Sequence, residues 1–274
     1  VYSEKPFAVT REDGKKILQT ARAKQLRVGC APDTFLGGGQ QTARKLIDDG
    51  WIGKPLSGTA IVAGRGPEKW GQAPFFYDYG AGPMLDLGPY YITALINLLG
   101  GIKEVYAYSN TAHATRLITA EPHVGEIIQV NTPTHYEAFV TLESGLRVSL
   151  LTSFDIYQSR QTNIEIYGTK GTLYVPDPNI FGGKIEFYDG EKKELIEYPL
   201  EFGYAENSRC LGLDDLAKAL ETGRPGRTTS LQTFHVLEAM AGIMESAKTG
   251  APYIMTSHFE REAPMDPTLP NGIL

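Results

Sequence analysis

The sequence is poor in cysteine, in histidine and in basic residues, and each shortage closes a class of function. Two cysteines occur in 274 residues. Cys30 and Cys210 lie far apart, without close cysteine or histidine partners, so they build neither a structural zinc site nor a disulfide framework. Both thiols are expected to be free, in a reducing compartment. The five histidines, at 113, 123, 135, 235 and 258, show no HxH or HxxxH spacing, and no metal site is expected. Lysine and arginine total 26 against 32 acidic residues, a net charge of -6, without the excess that would neutralise phosphates along a nucleic acid. No apolar run approaches the ~20 residues that span a bilayer, and no basic-then-apolar leader is visible. A cytoplasmic protein with neither nucleic acid nor membrane as partner is the expectation.

What the sequence does have is 42% hydrophobic content, enough for a sizeable core in one or two domains. Residues 10–26 read as a helix capped by Thr10, with Ile17, Leu18, Ala21 and Leu26 as its apolar stripe. A short strand at 27–31 follows, the order that a parallel α/β sheet produces. Gly37, Gly38 and Gly39 read as a hinge or a loop over a pocket, ahead of a helix at 40–49. Residues 64–83 form a long loop rich in glycine, proline and aromatics, a type that tends to be functional. A third helix buries Tyr91, Ala94, Leu95 and Leu98 and stops at Gly100 and Gly101. The period then changes from 3.6 to 2. Over 136–156 the even positions are apolar around a turn at Ser144 and Gly145, and further strands read at 163–167, 172–175, 184–188 and 194–200. Helices at 213–221 and 232–248 and a loose tail from residue 263 complete the reading.

Several residues carry possible chemistry. Asp86, Tyr90, Thr93 and Asn97 are spaced i, i+4, i+7, i+11, a polar stripe that is either a solvated helix face or the wall of a site. Glu4, Lys5 and Pro6 are either a surface pair or, if they end a parallel strand, part of the sheet edge where α/β proteins bind ligands. Trp70, Phe76 and Tyr77 suit stacking on a sugar ring or a small core within their own loop. Ser153, Asp155 and Tyr157 alternate at a strand end, facing a pocket or solvent.

Glu4-Lys5-Pro6, the run Gly80-Ala81-Gly82-Pro83-Met84-Leu85-Asp86-Leu87-Gly88-Pro89-Tyr90 and the run Glu165-Ile166-Tyr167-Gly168-Thr169-Lys170-Gly171-Thr172-Leu173 together resemble the glucose-fructose oxidoreductase, inositol dehydrogenase and MocA (Gfo/Idh/MocA) family, in order and in separation. The resemblance implies an α+β fold: a C-terminal substrate domain with a large, mostly antiparallel open sheet flanked by helices, preceded by the last helix and strand of a Rossmann dinucleotide-binding domain. It places the boundaries at 1–32 for that remnant, 33–258 for the substrate-binding and dimerising domain, and 259–274 for the tail. It also implies Glu4, Lys5 and Pro6 as cofactor-binding, Lys5, Asp86 and Tyr90 as catalytic, and Asp86 and Tyr90 as substrate-binding; Trp70, from the aromatic loop, and Asp155, from the strand end, join the substrate-binding candidates on their own residue chemistry. Many members have histidine where Tyr90 stands; Lys5 supplies the positive charge that helps a phenol give up its proton.

The activity so implied is NAD- or NADP-dependent hydride transfer at a secondary hydroxyl of a sugar, polyol or related carbohydrate, in a homo-oligomer joined through the open sheet. The alternatives are a non-catalytic sensing or regulatory relative, or an isolated dimerising substrate domain. No GxGxxG turn occurs in the 274 residues, and Pro67 and Pro83 remove an N–H after the two nearest approximations. The expectation is therefore a truncated form, inactive by itself, that binds the dinucleotide weakly.

Overall fold

The computed structural model describes residues 1–269 and 271–274. In chain order the elements are β1 (Tyr2–Ser3), α1 (Arg11–Ala23), β2 (Gly29–Cys30), α2 (Gly38–Asp48), β3 (Pro55–Ala63), α3 (Gly82–Asp86), α4 (Gly88–Leu99), β4 (Ile102–Asn110), β5 (Thr115–Leu117), β6 (Ile127–Gln129), β7 (His135–Leu142), β8 (Arg147–Ser153), β9 (Ile164–Gly168), β10 (Gly171–Val175), β11 (Ile185–Asp189), β12 (Glu194–Tyr198), α5 (Leu211–Thr222), α6 (Ser230–Thr249) and β13 (Tyr253–Ile254). Short 3-10 turns break the loop between β3 and α3. Among the described residues no helix is long and apolar enough to cross a membrane.

Nine strands form one sheet in the order β12-β11-β10-β9-β3-β8-β7-β4-β13. Among the described residues of this sheet, β3 and β8 pair in parallel and the other neighbours are antiparallel. The two-residue alternation expected over 136–156 is the β7–β8 hairpin. Tyr136, Ala138, Val140, Leu142, Val148 and Leu150 are buried on one face, which α4 and α6 cover. Tyr106, Tyr108 and Phe139 stand on the other face, 45%, 61% and 58% exposed. β1 and β2 form a separate parallel pair, and α1 lies against α6. Phe7, Ala21 and Val28 belong to the same core as the sheet.

Four expectations change. The glycine run is a packing device, since Gly38 and Gly39 open α2. A Cβ at Gly37, Gly38 or Gly39 would fall 2.3–2.5 Å from the carbonyl oxygens of Phe181, Phe202 and Gly182. The polar stripe on α4 is not a solvated face, because Thr93 and Asn97 are buried and Asn97 Oδ1 accepts from Arg44 Nη1 at 3.1 Å. The strand at 27–31 shortens to β2, while β3 and β4 form where no alternation had been read. The tail is docked: Met265 packs with Phe35, Leu36, Phe181 and Phe202, and its N–H donates to Gln41 Oε1 at 2.8 Å.

α6 ties this return of the chain down with two buried titratable groups. His235 Nε2 accepts from the Ile102 N–H at 2.9 Å, leaving Nδ1 to donate to Ser257 Oγ at 2.7 Å. Glu238 accepts from Tyr253 Oη, from the Thr256 N–H and hydroxyl, and from the Ser257 N–H. Burial pushes His235 down to about 4. Burial alone would raise the Glu238 carboxyl, but the bonds from Ser257 and Thr256 bring it down to about 2. The unfolded histidine titrates near 6.5, so its share of stability is complete above that pH and is lost progressively between 6.5 and 4, where Glu238 changes little until below 4.5. The loss is about 3 kcal/mol by pH 4. Urea midpoints at pH 7.5 and 4.5 will therefore differ strongly in the wild type, and much less in His235→Gln, which starts from a lower midpoint at pH 7.5.

Candidate active site

Lys5 follows the C-terminal end of β1 and reaches across to the end of α3. Its Nζ donates to Asp86 Oδ1 at 2.6 Å and to the Asp86 carbonyl at 2.7 Å, so the ammonium meets both a carboxylate and a helix C-terminus. The two side chains are 17% and 13% exposed. One turn further, Tyr90 stands in the first turn of α4, where Pro89 is tolerated because its missing N–H would have had no partner. Tyr90 is 7% exposed, with the Lys5 ammonium 5.4 Å from its ring centroid. The close pairing expected of Lys5, Asp86 and Tyr90 is present.

A fourth member had no mark in the sequence. Arg209, exposed and just before α5, lies 5.7 Å from the Tyr90 ring centroid and its Nη1 is 3.4 Å from the phenolic oxygen. Asn179 anchors it, accepting from Nη2 through Oδ1 at 3.0 Å and through its carbonyl at 3.3 Å. Residues 119 positions apart meet here with the loop between β10 and β11, whose Asp177 accepts from Tyr91 Oη at 3.2 Å and whose Asn179 holds Arg209. Arg209 forms no ion pair among the described residues, so the cluster holds one neutralised cation and one uncommitted one.

Glu4 turns back on its own backbone, accepting from the Lys5 N–H at 3.3 Å, while its carbonyl faces the Cys30 thiol at 3.2 Å. Pro6 lines a narrow crevice with Phe7, Cys30 and Pro89. Burial pushes the Cys30 thiol up to about 11, which leaves it a packing group.

Trp70 and Asp155 lie elsewhere, and no hydrogen bond or ion pair among the described residues links them to Lys5, Asp86 or Tyr90. Trp70 is exposed, edge-on to Phe76 at 5.6 Å. Asp155 accepts from Thr134 Oγ1 at 2.7 Å and is ion-paired with Arg116, whose side chain is 2% exposed and also donates to Glu68 Oε1 at 2.8 Å. The Tyr77 ring lies beneath the Arg116 guanidinium at 5.2 Å. Ser153 is buried and serves His135 and the Asp155 N–H.

Comparison with known proteins identifies the domain that carries Asp86 and Tyr90. Residues 40–174 match the GFO/IDH/MocA C-terminal domain, a segment that contains Asp86 and Tyr90. A curated relative, the dTDP-3,4-didehydro-2,6-dideoxy-alpha-D-glucose 3-reductase of Streptomyces antibioticus, is 24% identical over 84% of this chain, which spans 64% of the length of that relative. Among solved structures, an NAD binding oxidoreductase from Klebsiella pneumoniae aligns at a TM-score of 0.74 and 21% identity, over 93% of this chain and 73% of its own. A super-repressor mutant of Gal80p from Saccharomyces cerevisiae aligns at 0.76 and 15%, over 92% and 71%. With the α+β fold and the large sheet in agreement, residues 40–174 of the chain form a GFO/IDH/MocA C-terminal domain.

Proposed function

We propose that this chain serves an oxidoreductase that moves hydride between NAD or NADP and a secondary hydroxyl, or the matching ketone, of a sugar, polyol or related carbohydrate. The observation that carries the reading is the Lys5–Asp86 ion pair set beside the Tyr90 ring. The curated relative, a reductase of a dTDP-linked sugar by name, supports the substrate class.

The nicotinamide would supply or accept the hydride. Glu4, Lys5 and Pro6, at the C-terminal edge of the parallel β1–β2 pair, suit its reacting end. Tyr90 takes the hydroxyl proton in oxidation and returns it in reduction. Asp86 is held by Lys5 through Oδ1, which leaves Oδ2 to orient a neighbouring substrate hydroxyl. Negative charge developing on the carbinol oxygen of the substrate would meet Lys5 and Arg209, the two cations beside Tyr90. Residues 1–32 then belong to the dinucleotide side of the cleft and 33–258 to the substrate side, with 259–274 packed on the latter.

A regulatory reading stays open to test because the repressor structure is as similar in fold as the oxidoreductase. Fold alone does not separate the two; the side chains around Tyr90 support the first.

Three outcomes follow. In the protein as its source expresses it, Tyr90→Phe will lower nicotinamide-linked turnover of sugars and polyols by about 100-fold or more, with substrate binding largely kept. Unchanged biological activity in Tyr90→Phe and in Lys5→Ala would select the regulatory reading. The 274-residue chain by itself, lacking a glycine cradle for pyrophosphate, will show no saturable NAD(H) binding below about millimolar in calorimetry; a micromolar Kd would overturn that. Finally, we read the open sheet face as the contact between two copies, since Tyr106, Tyr108 and Phe139 form an exposed aromatic patch. Light scattering should show a dimer that Tyr108→Asp with Phe139→Asp converts to monomer.

A further inference from the structure

β3 and β8 run parallel, so their C-terminal ends deliver Arg65 and Tyr157 to the same edge of the sheet. An open cleft of about 690 Å³ lies there, lined by Arg65, Lys69, His113, Arg116 and Tyr157 among others. Its floor is fixed by the buried Arg116, which Glu68 and Asp155 hold from two sides. Its rim is not neutralised. Arg65 and Lys69 are exposed and form no ion pair among the described residues, in a chain whose net charge is -6. The carboxylate that lines the cleft, Glu68, is committed to Arg116, as is Asp155 behind it, so the rim charge is available to a ligand. Arg65 rests over the ring of Tyr157 with its Cζ 4.6 Å from the centroid, and Tyr157 is 81% exposed. The turn that carries these cations is held in place from below. A Cβ at Gly66 would fall 1.8 Å from Tyr77 Oη, so only glycine lets the turn sit on Tyr77.

We propose that this cleft binds the nucleoside diphosphate end of a sugar substrate, with Arg65 and Lys69 on the two phosphates and Tyr157 against the base. The inference rests on the sugar oxidoreductase reading and narrows its substrate class. A single phosphate would leave one cation and the aromatic ring unused; a diphosphate joined to a planar ring uses all three. The cleft volume lies in the range of small-molecule sites. Its position also fits. The Tyr77 carbonyl accepts from the Asn131 N–H at 2.8 Å, and the next residues, Thr132 and Pro133, touch Gly82 at the start of α3. α3 ends on Asp86, so the loop that carries the cations of the cleft and the helix that carries the reacting carboxylate are both tied to residues 131–133.

The test is calorimetric titration of the wild-type chain with UDP, dTDP, inorganic pyrophosphate, uridine and NAD. UDP or dTDP is expected to bind more tightly than pyrophosphate or uridine, and to weaken as salt rises. Arg65→Ala with Lys69→Ala should weaken the nucleoside diphosphate at least tenfold, whereas Tyr157→Ala should weaken it several-fold and leave pyrophosphate unaffected. Equal binding of UDP and uridine, an unaltered affinity in the double variant, or NAD binding more tightly than UDP at the same cations would overturn the proposal. Lys5→Met separates the two readings: it should abolish turnover and retain UDP binding. Retained UDP binding with undiminished turnover would keep the cleft and remove the mechanism.

Discussion

The bond from Lys5 Nζ to Asp86, spanning 81 residues, fixes how the first strand meets the long helix of the substrate side. Two largely desolvated charges gain little net stability from each other, since the cost of leaving water offsets most of their attraction. What the pair sets is position. Loss of either partner leaves an uncompensated charge beneath the surface, so β1, the end of α3 and the start of α4 hold one arrangement. The chain enters α3 through Gly82 at φ +81, a left-handed conformation that glycine adopts without a Cβ penalty. It comes out of α3 with Asp86 under the lysine and Tyr90 one turn beyond.

The sheet gives this arrangement a rigid backing and an asymmetry. Helices α4 and α6 bury one face, while the opposite face keeps tyrosine and phenylalanine in solvent. The single parallel contact, β3 with β8, brings two strand ends to the same edge. That edge carries both the Arg116 cluster and the cation-bearing turn between β3 and α3. The two buried acid–base groups of α6 act at the other margin, where they hold the returning chain against β4. Stability against acid and recognition of ligand are thus placed on different parts of the molecule.

Much of this was legible in the residues. The alternation from Tyr136 to Leu150 gave the hairpin and its buried face, and Thr10 capped its helix as read, accepting from the Asp13 N–H. The i, i+4 spacing of Asp86 and Tyr90 read as a single helix, whereas the structure divides them between α3 and α4, and Lys5 lies against both. Other parts depended on partners remote in the sequence. β3 lies in the middle of the sheet, yet its residues Leu56 to Val62 do not alternate cleanly, because pairing on both sides, not burial of one face, holds it. Thr93 and Asn97 looked solvated until Arg44 arrived from α2 to satisfy Asn97. Arg209 had no motif at all. Its role depends on Asn179 and Tyr90 meeting it in space, and no local spacing encodes that.

This dependence on remote partners bears on what the fold can and cannot decide. One backbone arrangement is shared, at nearly equal similarity, with an oxidoreductase and with a super-repressor mutant of Gal80p. Hydride chemistry needs a proton donor whose oxygen is held among cations. Ligand sensing needs only a cleft. A chain that had kept the cleft and lost the chemistry would be under no physical requirement to seat an ammonium against the Asp86 carboxylate and a second cation at the phenol. Both are present, and each has its own support: Asp86 offers Lys5 a carboxylate and a carbonyl, and Asn179 offers Arg209 two oxygens. Those four supporting bonds hold the two cations that flank Tyr90, Lys5 at 5.4 Å and Arg209 at 5.7 Å from its ring centroid.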